Sequence, residues 1–180
     1  SWRLPTNEEL ALMRANNLIG SGDYMTRENK NRYKLKAIVR LVATEPAGYV
    51  DLGLPSGTLW KTFNEGGNDC YFTYHLANSA FSGKLPTADQ FAELCKECEW
   101  FWIGDGYKVV GPNGNYITFP AAGCRNCGGD VRCVGTHGFY WSSTPGDSDH
   151  VWSLNFGSSV IDVSYGGRCF GLSVRLVQNL

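Results

Sequence analysis

Two short apolar blocks near the end of the chain constrain its fold more than anything else in it. Gly138-Phe-Tyr-Trp-Ser-Ser-Thr144 and Gly171-Leu-Ser-Val-Arg-Leu-Val177 alternate like strands. Between and just before them lies a run of side chains with no common chemistry, including Cys124, Cys127, Cys133, His137, Asp147, Asp149, His150, Ile161, Tyr165, Cys169 and Phe170. A catalytic site needs particular groups at particular places. A stiff frame that carries arbitrary side chains reads as a binding surface.

The rest of the chain is built from similar short pieces. Gly48 to Leu54 and Thr58 to Phe63 flank the turn Pro55-Ser-Gly57, which predicts a hairpin. Tyr107 to Val110 and Tyr116 to Phe119 flank Gly111-Pro-Asn-Gly114, a second hairpin. Further short strands are expected over Tyr140 to Ser143, Val151 to Phe156, Val160 to Ser164 and Leu172 to Val177, with Glu65 to Ser82 mostly loop. Thr87 with Gln90 forms a capping box, and the apolar positions Phe91, Leu94 and Cys95 predict a helix from Thr87 to Cys98. One helix among many antiparallel strands is an α+β expectation.

The chain also contains an edited repeat of itself. Trp2-Arg-Leu-Pro-Thr-Asn-Glu-Glu-Leu10 parallels Gly83-Lys-Leu-Pro-Thr-Ala-Asp-Gln-Phe91, with Thr6 and Glu9 as a second capping box. Gly22 to Thr26 parallels Gly138 to Ser142, and Leu35 to Val42 parallels Gly171 to Val177. Three blocks in the same order point to duplication. The boundary falls near Thr44-Glu-Pro-Ala-Gly48, giving a degenerate half-repeat over 1–45 and a ligand-binding domain over 46–180.

Composition narrows the function classes. Hydrophobic residues make up 43% of 180, enough for a core, and the net charge of -1 offers no basic face for nucleic acid. No apolar run approaches the roughly 18 to 20 residues needed to span a bilayer, so direct membrane insertion is not expected.

The blocks Gly48 to Trp60, Lys84-Leu-Pro-Thr87, Gly106 to Asn115, Phe119-Pro-Ala-Ala-Gly123, Gly138 to Thr144 and Ser173 to Val177 resemble the paralogous surface domains of Bacteroidetes and Fibrobacter. That family's fold is C-type lectin-like, akin to the formylglycine-generating enzymes. The resemblance therefore implies a C-type lectin-like α+β domain of short antiparallel strands and few helices. The end of the chain is more specifically similar to the variable proteins of diversity-generating retroelements. In that family, template adenines are mutated during copying, so an AAC asparagine codon becomes NNC, which cannot encode Lys, Glu, Gln, Met or Trp. From Gly123 to Phe170 there is no Lys, Glu, Gln or Met, and the only Trp residues, Trp141 and Trp152, stand in the frame.

The resemblance implies a variable region over about 123–170. Its ligand-binding residues are Cys124, Cys127, Cys133, His137, Phe139, Asp147, Asp149, His150, Val151, Ser153, Gly157, Ile161, Asp162, Ser164, Tyr165, Gly166, Gly167, Cys169 and Phe170. Phe139, Tyr165 and Phe170 are the expected aromatic anchors. Ser153, Ile161, Ser164, Tyr165, Cys169 and Phe170 are expected to face solvent, with Trp152, Leu154, Phe156, Leu172, Val174 and Leu176 inward. The expected partner is a protein or glycan on a cell or phage surface, bound by a monomer with no cofactor, no metal and no catalytic residues, and localised at that surface or on a phage particle.

Other chemistries remain open in the residues themselves. Cys95-Lys-Glu-Cys98 and Cys124-Arg-Asn-Cys127 have the spacing of a tetrahedral zinc site. His75, His137 and His150 with Asp147 and Asp149 could form an acid–base or metal cluster, although Asp147 to His150 reads more simply as a solvated turn. Trp60, Trp100, Trp102, Trp141 and Trp152 could offer stacking platforms; Trp141 and Trp152 read as core, while Trp100 and Trp102 stay open candidates. An oxidase would need a reactive cysteine with a positioned base, and none is legible near Cys124 or Cys169.

Overall fold

The computed structural model describes residues 2–3, 42–43 and 48–179. The chain divides into two units, Ser1–Glu45 and Pro46–Leu180. In the first, β1 (Trp2–Arg3) pairs antiparallel with β2 (Val42–Ala43), Trp2 opposite Ala43. The helix expected after Thr6 lies outside the described residues.

The second unit is a set of small antiparallel sheets. Both predicted hairpins form: β3 (Tyr49–Asp51) pairs with β4 (Leu59–Lys61), and the turn closes with the Gly57 N–H donating to the Leu54 carbonyl at 2.9 Å. The final strand, β15 (Val177–Gln178), pairs on the other edge of β4. A second sheet runs β6 (Glu99–Trp102), β7 (Gly106–Val110), β8 (Tyr116–Pro120). A third is ordered β11 (His137–Pro145), β12 (His150–Gly157), β13 (Val160–Gly167). The last is ordered β10 (Val131–Arg132), β9 (Cys124–Arg125), β14 (Gly171–Leu172), β5 (Phe72–Thr73). Helix α1 spans Tyr74–Ala80 and α2 spans Ala88–Glu97.

This corrects the α+β, C-type lectin-like expectation. Among the described residues 43% are strand and 13% helix, divided among several small antiparallel sheets, so the unit is mainly β. Its two helices have 7 and 10 residues, and helices this short draw their stability from packing rather than from their own propensity. Two finer expectations also change. Glu65 to Ser82 is not mostly loop, since it contains β5 and α1; α1 has no side-chain cap bond to announce it. Leu172 to Val177 is not one strand. It is split between β14 and β15, and all of residues 171–177 are buried, so it does not alternate between core and solvent.

The predicted capping box of α2 is present. Thr87 Oγ1 accepts from the Gln90 N–H at 3.1 Å, and Gln90 Oε1 accepts from the Thr87 N–H at 2.9 Å. The helix buries Phe91 and Leu94, and Phe91 lies 5.5 Å from the Trp60 ring. Around them Phe119, Tyr140, Leu154 and Phe156 complete one apolar cluster. A second gathers Tyr74, Trp141, Val151, Leu172, Val174 and Leu176. Tyr140 and Trp141 are neighbours on β11 and point to opposite faces. The β11–β12–β13 sheet therefore has apolar packing on both sides.

Arg175 is wholly buried between these elements. Its Nε and Nη2 donate to Asn64 Oδ1 at 3.0 and 2.7 Å, Nη1 to the Lys61 carbonyl at 2.8 Å, and Nη2 also to the Thr118 carbonyl at 2.8 Å. The guanidinium lies 4.7 Å from the centre of the Phe119 ring. Burial lowers its pKa to about 10, still far enough above neutrality to keep the charge. Asn64 Nδ2 donates to the Tyr140 hydroxyl at 3.2 Å, which donates to the Pro120 carbonyl at 2.7 Å.

Cys95 and Cys98 pack on the first cluster, whereas Cys124 belongs to the second, so the two CxxC pairs do not converge. Burial raises the Cys95 thiol to about 12 and the Cys98 thiol to about 11. In the unfolded chain both ionise near pH 8.5 to 9. A raised folded pKa gives stability that is present below the unfolded value and lost as pH rises through the folded one. Denaturation midpoints should therefore fall as pH rises from about 8.5 to about 11. A Cys95→Ala, Cys98→Ala double variant should start lower at pH 8 but fall less steeply; an equal fall in both proteins would show that other groups control the alkaline limb.

Candidate functional site

The β11–β12–β13 sheet organises the candidate site. Cross-strand pairing places His137 opposite Gly157, Phe139 opposite Asn155, and Asn155 opposite Asp162. By the period of two these side chains share one face. At this end the face opens into a cleft of about 650 Å³, walled by Trp102, His137, Phe139, Asn155 and Asp162 and by the Ser158–Ser159 turn. The His137 and Phe139 rings are stacked 6.1 Å apart and within 12° of parallel. His137 Nδ1 is 3.1 Å from Thr136 Oγ1. Asn155 is oriented by neighbours on the same face: its Nδ2 donates to Ser164 Oγ at 2.8 Å, and Ser153 Oγ donates to its Oδ1 at 3.2 Å. Tyr107 supports the floor by donating to the Gly157 carbonyl at 3.0 Å.

The opposite end of the sheet carries a second group. The turn between β11 and β12 is closed by Asp147, whose Oδ1 accepts from the Asp149 and His150 N–H groups, both at 2.8 Å. His150 Nδ1 lies 2.8 Å from the same oxygen. The Asp149 N–H bond and the His150 side chain hold the Asp147 carboxyl below the usual carboxylate range. Arg168, just past β13, fastens this turn to the end of that strand: its N–H donates to the Asp149 carbonyl and its Nη2 to the Asp147 carbonyl, each at 2.9 Å. Its guanidinium lies over the Tyr74 ring at 4.9 Å. Tyr165 is 57% exposed and packs against Trp152 in a tilted pair, ring centres 4.1 Å apart. His75 lies apart on α1.

The expected display residues thus separate into groups. His137, Phe139 and Asp162 meet in the cleft, with Gly157 in its lining. Asp147, Asp149, His150 and Tyr165 are exposed at the far end, and Cys133 is exposed on its loop with φ of 62°. Ile161 and Phe170 are half-buried against the first and second clusters, and Ser164 is half-buried beside Asn155.

Three expected positions are corrected outright: Val151 and Ser153 have no exposed surface, and Cys124 is 8% exposed. Gly157 is buried, and it meets the cleft only as part of its lining. Ser153 lies on the face opposite Leu154, as the period of two requires, but at this end that face is covered by Trp141 and Val151 of the second cluster. Trp152, expected inward, is half-buried. A side chain at Gly157 would meet the His137 ring at 3.1 Å, so this glycine lets the imidazole lie on the strand. Gly166 and Gly167 are similarly confined, the first against the Trp141 ring and the second against Phe170, each 3.2 Å from an added Cβ.

Cys127 and Cys169 form a disulfide with their Cα atoms 5.1 Å apart, so neither is a free display thiol. Cleft residues that the sequence did not single out include Asn155 and Val160, which fall within expected strands, and Thr136, Ser158 and Ser159. The Gly157-Ser158-Ser159 break between two strand-like runs is the one available signal. Trp102, left open as a platform, lines the cleft.

A family described as "Domain of unknown function (DUF8237)" matches residues 90–177, a span that includes all of α2 but its first two residues, the cleft and the disulfide. No curated protein and no solved structure matches the chain significantly. No helix among the described residues is long and apolar enough to cross a membrane.

Proposed function

We propose that this chain is a ligand-binding display protein. Its variable C-terminal face, diversified by a retroelement, binds a macromolecular target on a cell or phage surface by shape and chemical complementarity. It works without a cofactor and without catalysis. The observation that carries this reading is the absence of Lys, Glu, Gln and Met over the 48 residues from Gly123 to Phe170. The geometry supports it: seven chemically unrelated residues of that stretch, His137, Phe139 and Asp162 at one end and Asp147, Asp149, His150 and Tyr165 at the other, lie at the two open ends of one sheet, over a frame of Tyr140, Trp141, Leu154 and Phe156 that is almost fully buried. Exposed side chains can change there without loss of core packing, where a large-to-small change costs about 2 to 5 kcal/mol.

The coding DNA tests the proposal. The codons of Cys133, His137, Phe139, Asp147, Asp149, His150, Asp162 and Tyr165 should end in C, and an asparagine-rich template copy with a reverse transcriptase gene should lie in the flanking sequence. Mixed third bases and no template would reject the retroelement and leave an adhesin or glycan-binding domain with a fixed face.

A further inference from the structure

A second concavity of about 580 Å³ adjoins the first. Tyr71, Asp105, Arg125, Val131 and Val134 line it, and none of them was expected at a site. The two clefts share Gly135, and Gly104 of the first is followed in sequence by Asp105 of the second. The junction is therefore low. Gly135 has φ of 78°, and a Cβ added there would meet nothing within 4 Å, so only open space lies above it. Backbone bonds fix the junction from below: the Gly135 N–H donates to the Ala121 carbonyl, and the Ala121 N–H to the Asp105 carbonyl, both at 2.7 Å.

We propose that the two clefts are one continuous groove for an extended basic segment of a partner polypeptide. This rests on the reading of the cleft as a ligand-binding face and names the chemistry of its partner. Exposed carboxylates of Asp69, Asp105 and Asp162 line the groove, against a single guanidinium, Arg125. Between the carboxylates stand apolar side chains: Val131 and Val134 are 46% and 61% exposed, and Trp102 and Phe139 are half-exposed. A chain that alternates lysine or arginine with aliphatic residues satisfies both features. A neutral saccharide chain could donate hydroxyls to the carboxylates but would leave their charge uncompensated and the valines unmatched.

The test uses the full chain and a short labelled peptide repeating lysine, leucine and serine, with a counterpart carrying glutamate in place of lysine. By fluorescence anisotropy near physiological salt, the basic peptide should bind at least tenfold more tightly than the acidic one. Asp105→Asn with Asp162→Asn should weaken it about tenfold, the sum of two exposed ion pairs. Asp89→Asn, on an exposed helix position that lines neither cleft, should leave binding unchanged. Gly135→Asn retains a residue type that tolerates positive φ and sets a side chain on the ridge; it should also weaken binding about tenfold while the melting temperature holds. Equal binding of the two peptides, or binding insensitive to both the aspartate pair and Gly135, would overturn the proposal, as would preferential capture of a neutral oligosaccharide. Asp69 and Asp105 lie outside residues 123–170. Peptide binding can therefore succeed where the codon test fails, and the codon test can succeed where peptide binding fails.

Discussion

Arg175→Leu should unfold this protein more readily than any single change on its binding face. The substitution removes four hydrogen bonds from a position with no exposed surface. It leaves Asn64 Oδ1 and the carbonyls of Lys61 and Thr118 buried without their donor. An orphaned buried acceptor costs about 1 to 3 kcal/mol, and bonds from a charged donor are the stronger kind. Some of this is offset because the charge itself no longer has to be desolvated. A net loss of about 3 to 5 kcal/mol is expected, a large share of the roughly 5 to 15 kcal/mol that holds a domain together. At this size it lowers the melting temperature by roughly 10 °C. Arg175→Lys should recover little, because an ammonium cannot reach three acceptors held in the guanidinium fork. Thermal denaturation of both variants is the check; a shift of only a degree or two would mean that the network is replaceable by packing.

That network also shows where reading the sequence succeeds and where it stops. The hairpins β3–β4 and β7–β8 were legible because turn residues and alternation are local, as was the capping box of α2. Arg175 was not. Within Ser173-Val-Arg-Leu-Val177 it occupies an outward position by alternation, and its acceptors on Lys61, Asn64 and Thr118 are 114, 111 and 57 residues away. Ser153 failed for a related reason. Period two says which residues share a face, but not that Trp141, Val151 and Tyr74 cover that face at one end of the sheet and leave it open at the other. The cleft was half legible: His137, Phe139 and Asp162 stood out by their chemistry. Asn155 did not, because an asparagine becomes a site residue only through the Ser153 and Ser164 hydroxyls that orient it. Trp102 arrives from a different sheet. The mainly-β character was misjudged because one strong helix signal was given the weight of a layer.

The second large effect is expected at Cys127 and Cys169. Of seven cysteines these two are joined, and Cys70, Cys95, Cys98, Cys124 and Cys133 are free. The bond closes a loop over a separation of 42 residues, for which the chain-entropy relation gives about 4 kcal/mol of stabilisation. It ties the segment bearing Val131, Val134 and Gly135, and hence the groove's ridge, to the end of β13. Cysteine spacing alone could not assign this pairing, since connectivity is set by proximity in the fold. Under denaturing, non-reducing conditions a thiol assay should find the five free cysteines rather than all seven. Reductant should lower the melting temperature by roughly 10 °C. A Cys127→Ser, Cys169→Ser variant should melt at that lower temperature and no longer respond to reductant. Because Arg168, next to Cys169, still holds the Asp147 turn, the variant should keep its sheet and lose order chiefly between β9 and β11, which amide exchange would localise. Seven reactive thiols, or a melting temperature indifferent to reductant, would show that the loop is held by Gly135, Ala121 and the β9–β10 pairing alone.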